Sequence, residues 1–262
     1  MREMAVDFIQ SKDNKLIKEI KKLKEKKYRD GHQKFFIEGF RFVEEAFKSR
    51  AKVDCLLVSQ GQADKYMSFM ESASLTEKYI VKDNLFRDIC STETPQGMAA
   101  VIRKRHQDLD FSQGLFVLTD KVQDPGNMGT IIRTAHAVGA KGVIYSSGTV
   151  DPYNEKTLRA TMGSIFYIPV IEDKNLELIS HMSREGYKLV ASSLEAKDNF
   201  YDVRYSNKLI IAVGNEGNGI SEQVENMADI KVRIPMPGGA ESLNVSVAAS
   251  VMLYEVLRQN SK

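Results

Sequence analysis

Ile210-Ile-Ala-Val-Gly214-Asn-Glu216-Gly-Asn-Gly219-Ile-Ser221 is the stretch on which the fold turns. Four apolar residues run without a polar break, three glycines follow, and helical spacing resumes from Ser221 to Met227. An uninterrupted apolar run bounded by turn residues predicts a strand buried on both faces, as in parallel sheets. Ligands of such sheets sit beyond the carboxyl ends of the strands, where glycine allows close backbone approach. The glycine order is G-x-x-G-x-G, which does not match the dinucleotide fingerprint G-x-G-x-x-G, and no G-x-x-x-x-G-K-[ST] occurs. A bare glycine turn explains most of the stretch. Glu216 is harder to explain so, since a carboxylate in a tight turn is placed to meet a ligand or an arginine.

Outward from this loop, the same alternation fills the C-terminal half. Strands are predicted at Leu115–Thr119, Gly142–Tyr145, Ile165–Val170, Lys188–Ala191, Leu209–Val213 and Ile230–Ile234. Helices are predicted at Met128–Val138, Tyr153–Met162, Leu176–Arg184, Ser221–Met227 and Leu243–Gln259. The fold class is therefore α/β, a mainly parallel sheet with helices on both faces. A smaller α/β unit precedes it, with strands at Phe35–Ile37, Val53–Val58, Tyr79–Val81 and Gly97–Ile102 and helices at Arg41–Lys48, Ala63–Met70 and Leu85–Cys90. The expected organisation is residues 1–105, a polar linker at 106–113, and residues 114–262.

Charge divides the chain in the same place. The net charge of +2 resolves into +6 over residues 1–105 and −4 over the rest. Most of the surplus lies between Lys12 and Arg29, where Leu16, Ile17, Ile20 and Leu23 recur at helical spacing. This predicts one amphipathic basic helix. Lys12, Lys15, Lys18, Lys22, Lys26 and Arg29 on its solvent face are either merely solvated or a nucleic-acid-facing patch. Hydrophobic residues at 42% and charged residues at 27% fit a soluble globular chain. Val245–Leu257, the longest mostly apolar stretch, is interrupted by Ser246, Ser250 and Glu255 and is too short to span a bilayer. The first residues lack the basic-then-apolar pattern of a leader. Two cysteines and four scattered histidines make neither a disulfide framework nor metal-ligand spacing. The expectation is a cytoplasmic protein with no metal and no membrane partner.

Two further motifs flank the glycine loop. Asp124-Pro-Gly-Asn127-Met-Gly-Thr-Ile-Ile-Arg133-Thr-Ala opens a helix, with Asn127 expected as its N-cap and Arg133 on the face opposite Ile131, Ala135 and Val138. A solvated arginine is the plain alternative there. Ile234-Pro-Met236-Pro-Gly-Gly-Ala-Glu-Ser242-Leu243-Asn244-Val-Ser forms an irregular loop before a small-residue helix, capped by Ser242 or Asn244.

Together these motifs resemble those of the SpoU (TrmH-like) RNA ribose methyltransferases of the SPOUT superfamily. The quoted residues are Asn127-x-Gly-x-x-x-Arg133, Gly214-Asn-Glu-Gly-x-Gly219 and Ile234-Pro-Met…Glu241-Ser-Leu-Asn-Val-Ser. Asp151-Pro-Tyr-Asn and Arg159-Ala-x-Met-Gly-Ser also fit, and the resemblance covers about residues 115–258. Phe36-Ile-Glu-Gly-x-Arg-x-Val-Glu-Glu-Ala is similar, less specifically, to the family's substrate-binding domain of the ribosomal-protein type. The resemblance implies a trefoil knot, which spacing could never propose because knots are rare. It implies S-adenosyl-L-methionine held by Gly214, Asn215, Gly219, Ile234, Met236, Leu243 and Asn244, catalytic or positioning roles for Arg133, Asn127, Glu216 and Ser242, and a homodimer. The implied reaction is methylation of a ribose 2′-hydroxyl in RNA. Ribosomal RNA is favoured over transfer RNA by the separate N-terminal domain. A non-catalytic RNA-binding or assembly factor of the same fold, and a metabolite-binding α/β enzyme, are the competing classes.

Overall fold

The computed structural model describes residues 6–73, 76–105, 109–193 and 196–260. The stretch 106–108, where the expected linker begins, and the first residues, read above for a leader, lie outside them. The chain divides into two compact units, one of residues 1–106 with 153–159, the other of 107–152 with 160–262.

The first unit is built on a mixed five-stranded sheet of order β1-β4-β3-β5-β2. Its strands are β1 (Val6–Ile9), β2 (Lys34–Glu38), β3 (Val53–Ser59), β4 (Glu77–Val81) and β5 (Met98–Arg103). The helices are α1 (Lys15–Lys22), α2 (Lys26–His32), α3 (Phe40–Lys48), α4 (Ala63–Ser72) and α5 (Asp83–Ile89). Strand β1 pairs with β4 at the sheet edge and was not foreseen, since Val6-Asp-Phe-Ile is too short to show a period. Ile17, Ile20 and Leu23 turn into the core with Leu57, Phe86 and Ile89, leaving the lysines of α1 in solvent.

The single basic helix expected over Lys12–Arg29 is two helices. Asn14 caps α1 through its Oδ1, which accepts from the Leu16 amide at 2.8 Å. Arg29 then ends it. The Arg29 guanidinium, 4% exposed, donates to the Leu23 and Lys24 carbonyls at 2.8 and 2.7 Å. Those carbonyls have no partner within a helix that stops there. Arg29 is thus a buried capping residue and not a solvent-facing cation, which corrects its placement among the RNA-facing residues.

The second unit carries a seven-stranded sheet of order β10-β12-β9-β11-β6-β7-β8, parallel in every pair. In chain order its elements are β6 (Gly114–Thr119), α6 (Pro125–Ala137), β7 (Gly142–Ser146), β8 (Val170–Asp173), α8 (Glu177–Arg184), β9 (Lys188–Ser192) and β10 (Asp198–Asn199). They continue as β11 (Lys208–Val213), α9 (Glu222–Met227), β12 (Ile230–Arg233) and α10 (Val245–Asn260); α7 (Glu155–Thr161), between β7 and β8 in the chain, belongs to the first unit up to Arg159. Leu209 to Val213 are fully covered, as an interior parallel strand requires. The strand expected at Ile165–Val170 is instead a tight turn at Ser164–Phe166, with β8 starting at Val170. Gly163 at φ 90° starts that turn, and the Phe166 amide closes it by donating to the Gly163 carbonyl. Leu109 and Phe111 of the expected linker pack on the core formed by Phe116, Ile179, Tyr187 and Ile210, so that part of it is folded structure. No described helix is long and apolar enough to cross a membrane.

Candidate active site at the strand carboxyl ends

The chain leaves β6 toward β7 and β8 on one side and later returns as β11 on the other side of β6. Beyond the carboxyl ends of such strands lies the usual crevice for ligands, and all three motifs converge there.

The glycine loop is closed on itself. The Asn215 amide donates to the Gly219 carbonyl at 2.7 Å, and the Gly219 amide donates back to the Asn215 carbonyl at 2.9 Å. A Cβ on Gly214 would stand 2.2 Å from the Gly219 carbonyl, so no larger residue fits. The Asn215 Oδ1 accepts from the Gly217 and Asn218 amides at 2.9 and 3.0 Å, and its Nδ2 donates to the Lys121 carbonyl at 2.9 Å. The tip of the loop is thereby held with Glu216 outward.

Glu216 meets the start of α6. Its carboxylate accepts from the Gln123 and Asp124 amides at 3.2 and 3.1 Å and from Asn127 Nδ2 at 2.9 Å. Partial burial opposes ionisation, but these bonds and its own amide outweigh it and hold the carboxyl below its ordinary range. Asn127 Oδ1 accepts from Asn244 Nδ2 at 2.9 Å. Asn244 Oδ1 accepts from the Ser246 amide at 2.9 Å and from Ser246 Oγ at 2.7 Å. The direction of this relay is set at both ends. A carboxylate can only accept and helix amides can only donate, so each asparagine must point one way.

One expected role changes, and one pair of alternatives is resolved. The N-cap of α6 is Asp124, whose Oδ1 accepts from the Asn127 amide at 2.8 Å with Pro125 filling the first helical position. Asn127 is therefore free of capping, and its buried side chain ties the motifs together. Of Ser242 and Asn244, Asn244 caps α10, while Ser242 is exposed. Arg133 lies on the exposed stripe of α6 with Gly126, Thr130 and Ala137, and no hydrogen bond or ion pair holds it among the described residues. Ile234, Met236 and Leu243 are half-buried, and the Cβ positions of Gly219, Gly238 and Gly239 open on free space.

Asp120 was not foreseen. It is 1% exposed at the end of β6; its Oδ1 accepts from Ser146 Oγ and its Oδ2 from the Ser221 amide, each at 2.7 Å. It joins β6, β7 and the start of α9 beneath the glycine loop. The available signal was an aspartate directly following an apolar strand.

These features define an α/β protein with a ligand crevice built by three distant loops. Residues 114–254 match the SpoU rRNA Methylase family, and residues 14–100 match the MRM3-like substrate binding domain. The chain is 37% identical over 248 residues to the 23S rRNA (guanosine(2553)-2'-O)-methyltransferase RlmP of Bacillus subtilis, covering 95% of this chain and 98% of that one. Among solved structures, an AdoMet-bound rRNA methyltransferase from Sinorhizobium meliloti superposes with a TM-score of 0.86 at 31% identity, over 98% of this chain and 99% of that chain. AviRb, a SpoU methyltransferase from Streptomyces viridochromogenes solved with AdoMet, also gives 0.86 at 28% identity, over 94% and 98%. The chain belongs to the SpoU family of RNA methyltransferases.

Proposed function

We propose that this protein methylates a ribose 2′-hydroxyl in ribosomal RNA, with S-adenosyl-L-methionine as methyl donor. The observation that carries the proposal is the Glu216–Asn127–Asn244 relay, which joins the three motif segments at one crevice. The rRNA substrates named for the relatives support the choice of RNA.

The crevice fits the cofactor: open glycine backbone beside half-buried Ile234, Met236 and Leu243 suits an adenosine and a thioether. Gly214, Asn215, Gly219, Ile234, Met236, Leu243 and Asn244 would hold it. Bound there, the cofactor supplies a methyl group activated by a sulfonium sulfur. Arg133 stays protonated and so serves as a phosphate clamp or stabilises developing alkoxide charge, not as a base. Glu216 has its oxygens taken by three donors and acts as a positioning residue with Asn127. Exposed Ser242 faces substrate. Lys12, Lys15, Lys18, Lys22 and Lys26, all exposed, supply phosphate contacts. We assign residues 1–105 to substrate binding and 114–262 to catalysis, in the cytoplasm, and extend the reading to the trefoil knot, supported by the packing of α10 on α6 and β11.

Homodimerisation belongs to the same proposal, through the outward face of α10. Ser246 and Ala249 of the small-residue helix are buried within the chain, and Ser250 Oγ lies 3.1 Å from Thr134 Oγ1 of α6. The stripe left outward is Val247, Val251 and Tyr254, with Val247 47% and Tyr254 52% exposed.

The test is ribose-methylation mapping of total RNA from cells with and without the protein, followed by methyl transfer in vitro to the RNA so identified. A lost methylation in rRNA is expected. Identical maps, or a site lost only from transfer RNA, would refute the rRNA assignment.

A further inference from the structure

Tyr28 is the single aromatic residue between Lys12 and Arg29. The other large side chains of that run are accounted for: Ile17, Ile20 and Leu23 are core, and Arg29 caps α1. Tyr28 is not. Its ring is half-exposed at the junction of α1 and α2, outside the core cluster it neighbours.

Two ammonium groups from different helices rest over the ring, Lys22 Nζ at 5.6 Å from its centroid and Lys27 Nζ at 4.8 Å. One turn further along α2, the exposed His32 ring is parallel to it within 12°, with centroids 6.4 Å apart. The arrangement presents two parallel π-faces within a cluster of cations. Nucleobases stack on such faces whatever their identity, while lysines meet the adjoining phosphates. In duplex RNA the base faces are already stacked on one another, so only unpaired nucleotides can use the rings.

We propose that Tyr28 and His32 form a stacking platform for unpaired nucleotides of the RNA substrate, with Lys22 and Lys27 moving from the ring to the flanking phosphates. This rests on the proposal that the substrate is RNA, and it narrows that substrate to a segment with single-stranded character.

The chain contains no tryptophan, so Tyr28→Trp makes a sole fluorescent reporter in the full-length protein. The probes are an unstructured RNA oligonucleotide of mixed sequence and the same strand annealed to its complement. The single strand should quench the tryptophan saturably and the duplex should not. Tyr28→Ala should weaken single-strand binding ~5- to ~150-fold, the range for loss of one base–aromatic stack, and leave duplex binding unchanged. Tyr28→Phe should bind as wild type, since stacking needs the ring and not the hydroxyl. His32→Ala should show a smaller loss confined to the single strand. Absence of quenching overturns the platform, and so does an equal loss for both RNAs. Should Tyr28→Ala melt early, the quenching and the Tyr28→Phe comparison still decide. Methyl transfer by the wild-type protein is measured separately. Platform behaviour without methyl transfer defeats only the proposed activity, and methyl transfer with Tyr28 irrelevant to binding defeats only the platform.

Discussion

Arg133 and Glu216 differ in how they are held, and their variants should fail in different ways. Arg133 is exposed on α6 and no hydrogen bond or ion pair holds it among the described residues. Arg133→Ala should lose about 2–4 kcal/mol of transition-state stabilisation, the scale of one electrostatic donor, with cofactor affinity unchanged. Arg133→Lys keeps the charge but not the planar fork and should retain partial activity. Single-turnover methyl transfer with calorimetric cofactor binding checks both, and a wild-type rate for Arg133→Ala would leave the residue a solvated arginine. Glu216 is held by three donors, and its carboxyl lies below the ordinary range. A depressed folded-state value stabilises the protein above the unfolded-state value, and that stabilisation is lost as pH falls through the folded one. Glu216→Gln turns an amide donor toward other donors, so it should melt below wild type at neutral pH. The gap should close in acid, below the usual glutamate range. A gap that is constant with pH would mean the carboxylate charge is irrelevant.

At the scale of elements, the glycine loop and the start of α6 are separable. Gly214→Ala places a methyl group against the Gly219 carbonyl, and backbone cannot move aside as a side chain can. A cost of about 1–3 kcal/mol in stability is expected from overpacking, together with weaker cofactor binding, read by denaturant unfolding and calorimetry. Wild-type behaviour in both would show that the loop has another conformation to take. Asp124→Ala removes the cap of α6 and should cost about 0.5–2 kcal/mol. Because the same turn offers its amides to Glu216, methyl-transfer rate should fall more than stability alone explains. An unchanged rate in the stably folded fraction would separate the cap from the site.

For the whole molecule, residues 153–159 are the informative segment. They follow β7 in the chain, yet they belong to the first unit. Tyr153 packs on Phe35 at 5.1 Å between ring centroids and lies 4.3 Å beneath Lys104 Nζ, and Arg159 pairs with Glu38 at 3.4 Å. Removing residues 1–105 would strip all of these partners, so assembly is best tested on the full chain. Light scattering of the wild type at micromolar concentration should give twice the chain mass. Val247→Glu with Tyr254→Glu places charge on the outward stripe of α10 and should give monomers that still melt cooperatively. A double variant that stays dimeric would move the interface elsewhere.

The sequence by itself determined the alternation, the parallel sheet and the three loops, because apolar runs, glycines and prolines act over a few residues. It also marked Glu216 as a carboxylate in a tight turn that calls for a partner, while Arg133, on the polar face of its helix, was singled out only by the resemblance. Only the tertiary structure decided which groups Glu216 meets. Asn127 meets Glu216 across 89 residues and Asn244 across 117, and no local spacing encodes such partners. The same holds for Arg29, which carries the charge of a solvent-facing residue but is drawn inward by two carbonyls at the end of α1. Asp120 is a third case, its role arising only when β6, β7 and α9 meet. Periodicity reports which face of an element is apolar. Which unpaired donor or acceptor a polar group must satisfy depends on what the fold brings beside it.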